Sequence, residues 1–367
     1  MVVVTPTGRV RRSPFWAATQ AAGAASFEIY NRMLMPTSYG DPEAEYWRLI
    51  EGVALWDVAC QRQVEISGPD AARLAQILAP RDLARCPVGQ GRYVALCDHA
   101  GILVNDPVLS KLAEDRFWLS VADADIWLWA RSIAAERGLD VVIGEPDVSP
   151  LAVQGPEAEA VVASLLGDWV RELPRFGLRG TTLNGIPFMV ARSGWSRQGG
   201  FELYLMDSQQ ADALWQLVME AGRPWDIGPG NPNDVERIES GLLAFGCDTD
   251  AQTNPFEVRL GRFVDLDVPD HTIGIQALRR ISAEGPARHQ LGVALAEDAP
   301  ATRQVGRFAV LAAGERIGTT TEFVWSPRLR QTIGLALVDS AAEPGMAVDV
   351  RLDSGSFAGR LRALPFL

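Results

Sequence analysis

The chain has 367 residues, 47% of them hydrophobic and 22% charged, with a formal net charge of -12 and a pI near 4.9. That length suits two or three domains with ample core, and the acidic excess opposes nucleic acid and anionic membrane as partners. Four cysteines without a C-x-x-C pair and three histidines (His99, His271, His289) without ligand spacing exclude a disulfide framework, a metal site and most of the material for Ser-His-Asp chemistry. No apolar run approaches the roughly 20 residues of a membrane span, and the opening residues lack the apolar core of a secretory signal. A cytoplasmic location is expected, with the chain as a monomer or homodimer.

The first feature in chain order is the cluster Arg9, Arg11 and Arg12, read as a solvated arm in preference to a site for an anionic cofactor tail. Next comes an internal duplication. "VEISGPDAARLAQIL" at 64–78 matches "LAVQGPEAEAVVASLL" at 151–166: a short strand, Gly-Pro, an acid, then a helix with apolar residues at three- and four-residue spacing. Pro69 and Pro156 suit a first helical turn, where Asp70 and Glu157 complement the dipole. "FWLSVADADIWLWARSIAAERG" at 117–138 then runs parallel to "FELYLMDSQQADALWQLVMEAG" at 201–222. Each reads as a strand, a capping Asp (Asp123, Asp207), a helix and a closing Gly (Gly138, Gly222). The duplication therefore spans about 64–138 and 151–222 and predicts two similar α+β units.

In this register Trp118 and Ser120 hold the positions that Glu202 and Tyr204 hold in the second copy. Strand alternation puts each pair opposite an apolar core face, and a pseudo-twofold would bring the four toward a shared central cavity. Gly199 and Gly200 predict a tight hairpin turn before Glu202. Beyond "NDVERIESGLLAF", read as a capped helix, "ISAEGPAR" is the expected linker, and short alternating strands from about 289 predict a small β-barrel or sandwich. The predicted division is 1–282 for the duplicated region and 288–367 for the C-terminal domain.

The succession "NDPVL", "RSGWSRQGGFELY", "ERIESGLLAFG", "NPFE", "IGIQAL" and "GERIGTTTEFVWSPRLRQTIGLALV" resembles the folate-dependent aminomethyltransferase family typified by the glycine-cleavage T-protein. "RVRRSPF", "YNRMLMPT", "EYWRLI", "LWDVACQRQVEISG", "PRDL" and "EPDVSPLAVQGP" resemble, more narrowly, its tetrahydrofolate-dependent demethylase branch, which acts on the sulfonium zwitterion dimethylsulfoniopropionate. The resemblance covers essentially the whole chain. It implies an α+β fold with two units around a central folate channel plus a C-terminal β-barrel, tetrahydrofolate as methyl acceptor, and a small sulfonium compound as the other partner.

Carried over by motif, Glu202 of "GGFE" meets the pterin ring, Asp106 of "VNDPVL" faces the reactive nitrogen as the catalytic acid, and Tyr93 lies on the folate side. Ser120, Trp195 and Tyr204 match positions that enclose the sulfonium, and Trp118 adds an aromatic face. Arg237 and Glu239 of "ERIESG" match a helix near the folate; two residues apart, they do not share a helix face, so one should point inward, and Arg237 is the one expected on the folate. Trp325 and Arg328 are candidates to close the channel from the barrel or, equally, to serve a domain interface. Departures exist: Asn105 replaces the first of the family's paired aspartates, Pro107 follows the second, and Ser110 stands where a Tyr would be. These disfavour glycine-cleavage chemistry. The alternatives are demethylation of another onium or a methoxy compound, and a folate-binding protein without transferase activity.

Overall fold

In the computed structural model, which describes residues 7–367, each copy of the repeat becomes one sheet. Strand β1 (Ala54–Asp57) precedes the first copy, which runs β2 (Gln63–Ser67), α1 (Ala71–Leu78), β3 (Gln90–Tyr93), β4 (Val108–Ala113), β5 (Arg116–Ser120), α2 (Ile126–Glu136) and β6 (Val142–Gly144). The second runs β7 (Ser149–Gln154), α3 (Ala158–Leu166), β8 (Leu178–Leu183), β9 (Ile186–Ala191), β10 (Gly200–Leu205), α4 (Ala211–Ala221) and β11 (Gly228–Gly230). The strand orders are β6-β2-β5-β4-β3 and β8-β9-β10-β7-β1-β11. Both sheets belong to one compact unit, made of residues up to 75, 83–93 and 107–232.

The alternation read from the sequence sets the faces. Phe201, Leu203 and Leu205 of β10 are buried in one core with Val161 and Val162 of α3 and Leu214, Trp215 and Val218 of α4, each contributing about 1.5–3 kcal/mol of burial. The Gly-Pro pairs have a shared cause. Gly68 and Gly155 sit at φ +120° and +125°, and a Cβ there would lie 2.9 Å from the Asp140 carbonyl oxygen or 2.3 Å from that of Gly52. Only glycine lets the strand turn into the helix that close to a neighbouring backbone.

Several local expectations are corrected. Pro69 and Pro156 stand two residues before their helices instead of within the first turn. Asp207 does accept from Gln209 N at 3.1 Å, but Asp123 accepts from Asn31 N at 3.0 Å and caps no helix. Arg11 and Arg12 are exposed, as a solvated arm requires, and each makes a surface contact: Arg11 pairs with Glu145 at 2.8 Å, and the Arg12 guanidinium lies 5.0 Å from the Trp16 ring centre.

At the end of β1, burial pushes the Asp57 carboxyl up to about 6, against hydrogen bonds from Ser13 Oγ and Ala59 N that lower it. A carboxyl raised in the folded state contributes stability that is full below its unfolded value near 4 and is lost as pH rises through about 6. The difference in unfolding free energy between wild type and Asp57→Asn is therefore expected to fall by about 2 kcal/mol from about pH 4 to pH 7. Urea unfolding of both proteins at the two pH values checks this, and a pH-independent difference contradicts it.

The second unit comprises 76–82, 94–106 and 233–367. Helix α5 (Asp234–Glu239) is capped as its sequence implied, with Asn233 accepting from Val235 N and Glu236 N. Helix Ile275–Glu284 runs through the first half of the predicted linker and ends at Gly285, φ +82°. Six strands then close a barrel: β12 (Arg288–Leu295), β13 (Gln304–Ala312), β14 (Glu315–Ser326), β15 (Gln331–Asp339), β16 (Ala347–Leu352) and β17 (Gly355–Arg362), in the order β12-β15-β14-β13-β16-β17. Alternate residues, among them Val293, Leu295, Phe308, Val310, Val348 and Val350, fill its interior.

Arg237 and Glu239 are both buried, 1% and 0% exposed, so the expectation that one of them points outward fails. Helix α5 is too short to keep a solvent face once the barrel packs on it. Arg237 donates to Asp234 at 3.1 Å, to Asp248 at 2.9 Å and to Glu322 of β14, while Glu239 accepts from Ser326 Oγ and from Arg328. Arg237 was expected on the folate; three carboxylates hold its guanidinium instead, which makes it a pin between α5 and the barrel. Arg328, a candidate to close a channel or to serve a domain interface, is likewise a partner of Glu239.

Candidate functional site

The expectation that the two copies face their polar pairs toward each other holds at atomic detail. Glu202 and Tyr204 project from β10, and Trp118 and Ser120 from β5; all four are buried. Ser120 Oγ lies 3.4 Å from Tyr204 Oη, and the Trp118 and Tyr204 rings are 6.0 Å apart at 38°. Leu178 and Ala191 complete the apolar side of this cluster.

The polarity of the network follows from groups that can act in one way only. The Gln61 carbonyl can only accept, so the Gln63 amide nitrogen faces it at 2.8 Å. Gln63 Oε1 therefore faces Ser120 and takes its hydrogen at 2.6 Å. Ser120, expected as a donor to a substrate carboxylate, has its hydrogen already engaged. Tyr204 Oη donates to Glu202 Oε2 at 3.1 Å, and Ser193 Oγ donates to the same oxygen. Among the described residues no hydrogen bond falls on Glu202 Oε1.

Burial raises the Glu202 carboxyl above its usual range, and the Ser193 and Tyr204 hydrogen bonds pull it back. Burial, then the Glu202 charge, raises the Tyr204 phenol well above its usual value, so Tyr204 stays protonated as a donor. Trp118 gives its indole N–H to Glu65 Oε2 at 2.8 Å, and Arg116 holds that carboxylate at 2.7 Å. What Trp118 retains is its ring face, against Tyr204.

Trp195 is half-buried on the segment 192–199 between β9 and β10. This eight-residue connection replaces the tight turn expected from Gly199 and Gly200. Tyr93, half-buried, ends β3 opposite Val108. Asp106 is half-buried between the short strand Leu103–Asn105 and β4, and it belongs with Arg237 to the second unit.

Sequence reasoning missed Gln63, Glu65 and Ser193. The first two were available: β2 reads "QVEIS", so Gln63 and Glu65 share one face, and they lie directly opposite Ser120 and Trp118. Ser193 gave no periodic signal, because the segment that carries it is irregular.

The comparisons with known proteins agree with this architecture. Residues 15–268 match the GCVT N-terminal domain and residues 288–367 the glycine cleavage T-protein C-terminal barrel domain. The dimethylsulfoniopropionate demethylase DmdA of Ruegeria pomeroyi is 41% identical over 356 residues, 97% of each chain. An aminomethyltransferase of Symbiobacterium thermophilum is 31% identical, again over 97% of each chain. In fold, the crystal structure of the glycine cleavage system aminomethyltransferase T from Bartonella henselae superposes with a TM-score of 0.86 at 24% identity, covering 98% of each chain. A polar pair repeated on two matched sheets, a six-stranded barrel and two consecutive domain matches together place this chain in the glycine cleavage T-protein family.

Proposed function

We propose that this protein is a tetrahydrofolate-dependent demethylase that transfers a methyl group from the sulfonium of dimethylsulfoniopropionate to N5 of tetrahydrofolate, giving 3-methylthiopropionate and 5-methyltetrahydrofolate. The observation that carries the folate half is Glu202, a buried carboxylate with both protein donors on Oε2. A pterin edge offers a ring N–H beside an exocyclic amine, and a carboxylate accepts two such bonds side by side. The donor set fits that group. The 41% identity to the demethylase DmdA supports the sulfonium half, and so does an aromatic set of Trp195, Tyr204 and Trp118, since a sulfonium donates no hydrogen bond and is held by ring faces worth roughly 0.5–2 kcal/mol each.

Tetrahydrofolate supplies the nucleophilic nitrogen, and an uncharged thioether leaves, so no side chain has to protonate a leaving group. In this reading the folate-binding region is 1–282 and the barrel domain 288–367. Glu202 orients the pterin, Tyr93 flanks it, and the Ser193 and Tyr204 hydrogen bonds favour the ionised form of Glu202 against the burial that opposes it. Tyr204 and Trp195 bracket the cation, with Trp118 behind Tyr204 and Ser120 offering its lone pairs. Alignment of two bound reactants contributes up to about 7–11 kcal/mol in well-oriented systems. Asp106 supplies negative charge as cationic character moves from sulfur to nitrogen, and it accepts the proton shed afterwards. A cytoplasmic location accords with this use of a reduced folate.

A turnover assay with tetrahydrofolate and dimethylsulfoniopropionate tests the reading, with a methoxy compound of similar length alongside. The sulfonium alone should yield 5-methyltetrahydrofolate; preference for the methoxy compound, or no product at folate saturation, contradicts it. Asp106→Asn is expected to lower kcat by about 10²-fold and to change folate affinity by less than about threefold.

A further inference from the structure

Gln154 ends β7 and is 0% exposed, and its amide reaches beyond the sheet: besides the Phe201 carbonyl of β10 at 3.5 Å, it contacts the segment 192–199. Nε2 donates to the Val153 and Ser193 carbonyls, each at 3.2 Å, and Oε1 accepts from Ser196 Oγ at 2.9 Å. Because carbonyls only accept, this orientation of the amide is fixed. Segment 192–199 wraps the amide so closely that a Cβ on Gly194 would lie 2.1 Å from Nε2, and one on Gly200 2.4 Å from it. Both glycines also sit at φ +152°, and at Gly200 the Val153 carbonyl oxygen would be equally close at 2.4 Å, so the Gln154 amide is one of the constraints that glycine meets there.

The ends of the segment are held without Gln154. Arg192 pairs with Glu159 at 2.7 Å, and Gly199 O accepts from Gly155 N at 3.0 Å. Gln154 grips the middle: the Ser193 carbonyl and the Ser196 hydroxyl bracket Trp195, and Ser196 Oγ in turn accepts from Gln198 N at 3.3 Å. An apolar side chain of the same length would fill the same core space, so the amide is explained by the segment that it holds.

We propose that Gln154 is a positioning residue for the methyl donor: it acts through the 193–196 backbone to hold Trp195 in the orientation that receives the cation. The identity of the donor rests on the demethylase reading above. The test uses Gln154→Met, which keeps the volume and removes the amide, and Ser196→Ala, which removes one contact and leaves the core intact. Amide hydrogen exchange across 193–198 is expected to quicken about tenfold or more in Gln154→Met. The KM for dimethylsulfoniopropionate should rise about tenfold, and that for tetrahydrofolate by a smaller factor of about threefold, because Ser193 of the loosened segment also donates to Glu202. Ser196→Ala should shift both readouts in the same direction by about threefold, and it decides the matter if Gln154→Met does not fold. Unchanged exchange in the folded variant, or a rise in both KM values by the same factor, overturns the proposal. Should wild type fail to turn over the sulfonium, the demethylase reading falls separately, and exchange alone then decides whether Gln154 holds the segment.

Discussion

Glu202→Gln is expected to raise the dissociation constant of tetrahydrofolate by about 30- to 100-fold, or about 2–3 kcal/mol, while kcat at folate saturation changes by less than about threefold. Hydrogen bonds to a charged acceptor are about twice as strong as neutral ones, and glutamine presents one acceptor where the pterin edge needs two. With its carbonyl oxygen kept on the Ser193 and Tyr204 donors now aimed at Oε2, the amide would turn its NH2 group toward the pterin's own N–H groups. The pH dependence sharpens the expectation. Burial raises the Glu202 carboxyl in the ligand-free fold, so in that state its contribution to stability is present below the unfolded value and is lost as pH rises through the folded one. Folate needs the ionised form, so its affinity should fall as pH drops through the raised pKa, starting above the usual carboxylate value of about 4.3. Glu202→Gln should lack that acid limb. Equal folate affinity for the two proteins, measured by equilibrium titration across this range, removes the pterin assignment.

Arg237→Met is expected to destabilise the protein by about 3–5 kcal/mol while leaving the folate affinity of the folded protein within about twofold. The guanidinium is 1% exposed and joins Asp248 and Glu322, whose side chains are 3% and 5% exposed. Methionine fills most of the space but leaves buried Asp248 without its cation and Glu322 with Arg303 alone. Burial already raises both above their usual values despite the arginine beside them. Without it they rise further, so the deficit should be largest at neutral pH and shrink on acidification as the two carboxylates take up protons. Urea unfolding at about pH 5 and pH 7.5, with folate titration of the folded variant, separates the two roles. A stable variant with weakened folate binding would return Arg237 to the ligand.

Why Glu202 was legible and Arg237 was not comes down to the range of the information involved. Glu202 lies in a strand, where a period of two fixes its face from its immediate neighbours, and the repeat aligns it with Trp118 with no gap. The meeting of Ser120 with Tyr204 followed from the same alignment. Arg237 lies on a helix of six residues, and two of its three partners are 11 and 85 residues away in sequence; no local period encodes which side of so short a helix a barrel will cover. The segment 192–199 defeated the turn reading for a related reason. Gly199 and Gly200 suggest a hairpin if the strand ends are taken alone, but Gly194 and Gly200 answer in part to Gln154, 40 and 46 residues before them, and no turn rule refers to a side chain so distant. The barrel was legible as a class from its alternating strands, whereas the helix entering the supposed linker was hidden by "EGP", which reads as a break and proves to be the helix terminus.

The central claim is that a methyl group passes from a sulfonium to folate within a site organised by Glu202. Dimethylsulfoniopropionate carrying isotopic label in its S-methyl groups, incubated with the enzyme and tetrahydrofolate, tests it most directly. One labelled methyl should appear on folate for each 3-methylthiopropionate released. Thioether release without label on the folate, or bound folate with no transfer at all, would contradict the account.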